Sequence, residues 1–129
     1  MLTCVDRFLP WFEEHDIEPV LPPVEERLEE SDLFEVIGDI DGAVCGDDRF
    51  TATVLDQAPK LKVISKWGTG IDSIDSEAAK RIGILVYRTP GAFTNPVADS
   101  VLGYVLSFAR GIPWATEDLR NGSWFKHPG

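Results

Sequence analysis

The spacing of apolar residues changes period along the chain, alternating between the 3.6-residue repeat of a helix and the short apolar runs of a strand. Phe8, Trp11 and Phe12 fall at i, i+3 and i+4, so a helix is expected over 7–15; Pro10 sits early enough that its missing N–H has no intrahelical partner to lose. Residues 17–21 (IEPVL) read as a short strand stopped by Pro22 and Pro23. Val24, Leu28, Leu33, Phe34 and Ile37 share the inner face of a second helix over 24–37, whose glutamates face out. A strand over 40–46, a helix over 51–57 closed by Pro59, and a strand over 61–64 follow. A helix over 76–82 ended by Gly83 and a strand over 84–88 complete the series. Alternation of this kind predicts an α/β domain, a parallel sheet with helices on both faces. Such a sheet normally opens on a strand, whereas this chain opens almost on a helix. The first strand therefore reads as missing, with residues 1–5 its stub or the chain starting late.

The longest apolar stretch comes next. Asn95 suits an N-cap, Pro96 the first helical position, and Asp99 the positive end of the helix dipole. From there Val97, Val101, Leu102, Tyr104, Val105, Leu106 and Phe108 leave hardly any polar face, which implies burial against another domain or another subunit. A last short helix follows Pro113 and ends at Asn121 and Gly122. Trp114 and Trp124 read as packing residues, and 123–129 as a tail cut short.

Candidate chemistry concentrates at residues 66–70. The strand runs into Gly68 and Gly70, which permit backbone angles that a side chain would forbid, and such a turn exposes N–H groups. With a helix N-terminus at Asp75, Ser76 and Glu77, and Lys66 adding a cation, the loop reads as a concavity for a carboxylate or similar small anion. Two other readings compete with it. A tight turn that binds nothing needs the same glycines. A dinucleotide loop has the same order of strand, Gly-x-Gly and helix, but its third glycine position is Ser73, and no acid stands about 20 residues on, near Tyr87, to hold a ribose.

At 129 residues, with 43% apolar and 26% charged side chains, the composition is that of a globular domain with its own core. The net charge of −10 argues against a nucleic-acid partner, which needs clustered Lys and Arg. Cys4 and Cys45 are too isolated for a metal site and read as reduced, Cys45 as a small buried residue inside an apolar run. His15 and His127 have no ligand spacing. No run approaches the ~20 apolar residues of a membrane helix, and the start lacks a signal peptide's pattern, so a cytoplasmic location is expected.

Taken in order, the run 59–75 (PKLKVISKWGTGIDSID), then EAAK at 77–80, RIGILV at 81–86, TPG at 89–91, VAD at 97–99 and LRNGSW at 119–124, resemble the NAD-dependent D-isomer-specific 2-hydroxyacid dehydrogenases, most nearly the phosphoglycerate dehydrogenase-like branch. The resemblance implies a flavodoxin-like substrate-binding domain over 1–93, with linker helices over 94–129 leading toward a cofactor domain. It implies that the backbone of Lys66, Trp67, Gly68, Thr69 and Gly70 holds the carboxylate of a 2-hydroxy or 2-oxo acid. It also places Thr94 near the nicotinamide of NAD, and the helix over 96–110 between domains and against its mate in a homodimer.

Two departures bear on function. The Gly-x-Gly-x-x-Gly cofactor domain, with the catalytic arginine, acid and histidine of the resembled enzymes, would lie beyond Gly129. Gly46, Asp47 and Asp48 stand where phosphate-handling members tend to place an arginine and a serine, and two carboxylates there would repel a phosphate. The expected function is therefore the substrate-binding part of an oxidoreductase acting on D-2-hydroxy acids, inactive alone. The alternative is a free-standing small-molecule or regulatory binding module of the same fold.

Overall fold

Two crossovers that step in the same direction build the sheet. The computed structural model describes residues 2–125, in two compact units, Met1–Thr89 and Pro90–Gly129. After a 3₁₀ segment, Leu2–Arg7, come α1 (Leu9–Glu14), α2 (Glu30–Val36), β1 (Gly42–Cys45), α3 (Ala52–Leu55), β2 (Val63–Lys66), α4 (Ser76–Ile82), β3 (Leu85–Tyr87), α5 (Thr94–Ala109) and α6 (Ile112–Arg120). The strands are parallel in the order β1-β2-β3, with Ala43, Ile64 and Val86 in register across them.

A right-handed crossover places its helix on a face fixed by the direction of the step, so α3 and α4 belong on the same face. The packing agrees. Leu33 and Ile37 at α2, Val54 and Leu55 of α3, and Ala78 and Ala79 of α4 bury against Cys45 and Ile64 in one cluster, which Ala43 and Val86 join. The alternate positions point the other way: Val44 is 62% and Tyr87 58% exposed, with Ser65 and Leu85 beside them. The parallel α/β sheet is as expected, and within the first unit α2, α3 and α4 pack on one of its faces.

Residues 17–21 form no strand, because Pro19 removes a donor from their middle and no described strand lies beside them to pair with. The helix expected over 24–37 starts only at Glu30. Leu28 is held in extended chain by two long-range bonds, its N–H donating to Asp48 Oδ1 at 2.7 Å and its carbonyl accepting from the Arg49 N–H at 3.0 Å. A reciprocal capping box between Glu29 and Asp32 then opens the helix. The helix 76–82 matches its expected bounds, with Gly83 in the left-handed conformation (φ 84°) closing it.

In the second unit, α5 begins at Thr94 with Phe93 at the N-cap and no side-chain cap bond, so Asn95 lies inside the helix. Gly111 turns the chain (φ 65°) into α6, and Phe108 meets Trp114 edge to face at 5.6 Å. None of the α5 side chains is buried: Val97, Val101, Leu102, Tyr104, Val105, Leu106 and Phe108 are 55% to 70% exposed. The Cys4 side chain and His127 lie outside the described residues.

Candidate functional site

In open parallel sheets, ligands bind where the strands end at their carboxyl edge. Here that edge carries the turn at Gly46, Asp47 and Asp48 after β1, the glycine loop after β2, and Arg88 and Thr89 after β3. The Trp67 N–H still belongs to the sheet, donating to the Cys45 carbonyl at 2.8 Å, while its indole is 62% exposed. Beyond it the ladder ends, and no acceptor among the described residues takes the N–H of Gly68, Thr69 or Gly70.

The carbonyls of the same loop are held firmly. Thr89 donates to the Gly68 carbonyl from its N–H at 2.9 Å and from its hydroxyl at 3.1 Å. The Arg88 guanidinium donates to the Thr69 carbonyl at 3.2 Å, and the Thr69 hydroxyl donates to the Thr89 carbonyl at 3.4 Å. The loop thus combines two held carbonyls, those of Gly68 and Thr69, with N–H groups on three successive residues that no acceptor among the described residues takes. Arg88 and Thr89 escaped the sequence reading because their part is long-range. The signal that could have found them is their place at the end of the neighbouring parallel strand.

Lys66 differs from its expected part as a free cation beside the loop. It is 4% exposed, its stem runs beneath Gly68, and its ammonium donates to the Gly46 carbonyl, to Asp47 and, at 3.4 Å, to the Ser73 hydroxyl. A buried charge requires such partners. A Cβ at Gly68 would stand 3.3 Å from Lys66 Cε, so the glycine also makes room for the lysine stem. The helix terminus behind the loop differs too: Asp75 Oδ1 accepts from the Ala78 N–H at 2.9 Å, so α4 is capped by its own chain.

Electrostatically the edge is mixed. The bond from Lys66, then its charge, holds the Asp47 carboxyl below the usual range. The Asp48 carboxylate is turned onto backbone, accepting from Leu28 and, at 2.9 Å, from Gly46. Burial, and after it the Asp48 charge, pushes the Cys45 thiol up to about 11, which leaves it inert as a nucleophile. Thr94 opens α5 in the second unit, its N–H donating to the Gly91 carbonyl at 3.3 Å. A concavity of about 250 Å³ along α4 and β3, lined by Ser76, Lys80, Gly83, Ile84, Leu85 and Val86, includes none of the loop. Among the described residues no three His, Cys, Asp or Glu side chains gather as metal ligands, and no helix is long and apolar enough to cross a membrane.

Fold and edge together define a parallel α/β domain of the class that presents ligands at the carboxyl ends of its strands. More narrowly, residues 6–122 match the D-isomer specific 2-hydroxyacid dehydrogenase catalytic domain, and the chain belongs to that family. It is 42% identical over 98 residues to D-3-phosphoglycerate dehydrogenase of Methanocaldococcus jannaschii, covering 75% of this chain and 19% of that protein. Hydroxypyruvate reductase of Thermotoga maritima is 38% identical over 102 residues, covering 78% and 33%. The NAD+-bound 3-phosphoglycerate dehydrogenase of Entamoeba histolytica superimposes with a TM-score of 0.69 at 30% identity, over 84% of this chain and 35% of that one. The chain thus spans about a fifth to a third of the length of these curated relatives.

Proposed function

We propose that this chain is the substrate-binding part of an NAD-dependent oxidoreductase interconverting D-2-hydroxy acids and 2-oxo acids. The observation that carries the reading is the run of three available N–H groups at Gly68, Thr69 and Gly70, on a loop whose carbonyls Thr89 and Arg88 pin. A carboxylate accepting from that backbone is fixed in position, and the hydroxyl or oxo carbon beside it is thereby oriented for chemistry supplied from elsewhere in the enzyme. Trp67, with its N–H in the sheet and its indole exposed, forms a wall of the site rather than an anion contact.

The described residues do not fit a dinucleotide. Ser73 takes the third glycine position and Asp75 caps the helix behind the loop, so no pyrophosphate site remains there. The cofactor is therefore assigned to another part of the enzyme, with Thr94, exposed at the first turn of α5, as this chain's contact toward it. The apolar surface of α5 supports a homodimer formed through residues 96–110, and the buried free thiol of Cys45 suits a reducing compartment such as the cytoplasm.

Titrating the ¹⁵N-labelled chain with D-lactate tests the reading. Saturable shifts of the Gly68, Thr69 and Gly70 amides are expected, and Gly68→Val, whose side chain collides with the Lys66 stem, removes them while the circular dichroism spectrum persists. Amides that ignore every carboxylate would show the loop to be a turn and no more.

A further inference from the structure

We propose that Asp47 sets the substrate class of the glycine loop, keeping it selective for acids whose only anionic group is the carboxylate and against those that also carry a phosphate. The proposal rests on the carboxylate reading above and deepens it.

The argument begins with the cations at the carboxyl edge. Lys66 brings a buried charge beneath Gly68, but Asp47 neutralises it, and the Gly46 carbonyl and Ser73 hydroxyl take its other bonds. Arg27 and Arg49 both turn to Glu29, at 2.7 Å and 3.8 Å. Arg88 makes no ion pair with the carboxylates described here, and its guanidinium lies against the Thr69 carbonyl of the same loop. The acids are Asp47, Asp48 and Asp72, whose Oδ2 lies 3.4 Å from where a Cβ on Gly70 would stand.

That balance suits a monoanion. A phosphate adds about 1.5 to 2 further negative charges at neutral pH and needs cations of its own. Asp47, with its side chain 82% exposed, presents a carboxylate to such a ligand at the same point where it silences the buried Lys66 ammonium. Replacing Asp47 with asparagine keeps the shape and the acceptor for Lys66, removes the negative charge, and leaves the Lys66 charge uncompensated beneath the loop.

The test compares D-glycerate with 3-phospho-D-glycerate, a pair that differs only in the phosphate, by the shifts of the Gly68, Thr69 and Gly70 amides. The unaltered chain is expected to prefer D-glycerate. Asp47→Asn is expected to tighten both acids, the phosphorylated one about tenfold or more and by clearly more than D-glycerate, so that the ratio between them shifts toward the phosphorylated acid. Lys66→Met in the Asp47→Asn background abolishes that gain. If the double variant fails to fold, the salt dependence of Asp47→Asn answers instead: the gain must shrink as ionic strength rises. An unchanged ratio between the two acids in Asp47→Asn, with D-glycerate still bound, overturns this proposal alone. Loss of response to both acids in the unaltered chain overturns the carboxylate reading and this proposal with it.

Discussion

Thr89 grips the Gly68 carbonyl twice, through its N–H at 2.9 Å and its hydroxyl at 3.1 Å, although 20 residues separate the two in the chain. The end of β3 therefore fixes the loop that follows β2. Thr89→Val keeps the backbone bond and the side-chain shape but removes the hydroxyl, whose bond is worth roughly 0.5 to 1.5 kcal/mol. Carboxylate affinity at the loop should fall about two- to tenfold, while the melting temperature drops by about 5 °C or less. Equal affinity in the variant would show that the loop holds its form without Thr89.

Cys45 gives the fold a pH dependence of known sign. Its thiol titrates near 8.5 in unfolded chain but is pushed up to about 11 here by burial. The native state therefore holds the proton more tightly. The resulting stabilisation is complete below about 8.5 and is lost as pH rises from there through about 11. In a Cys4→Ser background, urea midpoints should fall across that window, and Cys45→Ala should flatten the fall. A native thiol that reacts rapidly with a disulfide reagent at pH 8 would contradict the buried, protonated state.

The isolated 129-residue chain should neither transfer hydride with any 2-hydroxy acid nor bind NAD. The ground is chemical: the glycine loop lacks the third glycine, and Asp75 occupies the helix terminus that a pyrophosphate would need. Isothermal calorimetry with NAD is expected to give only dilution heats, and saturable binding would overturn the assignment.

Self-association through α5 is the expected solution behaviour. Val97, Val101, Leu102, Tyr104, Val105 and Phe108 are all more than half exposed, and fully burying such side chains is worth roughly 1.5 to 3 kcal/mol each. Multi-angle light scattering should report a species larger than a monomer, and Val101→Glu should reduce its mass. A monomeric parent chain, or a variant of unchanged mass, would refute the role of this helix.

How much of this was legible in the sequence depends on the range of the interaction involved. The helix 76–82 was placed correctly because its determinants are local, an aspartate cap before it and a left-handed glycine after it. The helix is shorter than its periodicity over 24–37 implies, because periodicity cannot register that Leu28 is tied to Asp48 and Arg49 in another segment. The glycine loop was recognisable from Gly68 and Gly70 alone. The inward turn of Lys66 was not, since its partners Gly46, Asp47 and Ser73 come from two different loops. Residues 94–99 showed the start of a helix but set it slightly late, because Asn95 makes no cap where Phe93 already begins the turn.

The uniform direction of the two crossovers also decides where this sheet can grow. A helix laid over Val44 and Tyr87 would, by the same handedness, have to belong to a crossover that steps the opposite way along the sheet. The strand that brings such a cover would pair at an outer edge of the sheet, that of β1 or that of β3, whether from this polypeptide or from another copy of it. The exposed side chains of the first unit's sheet and its open edges thus answer to one geometrical rule.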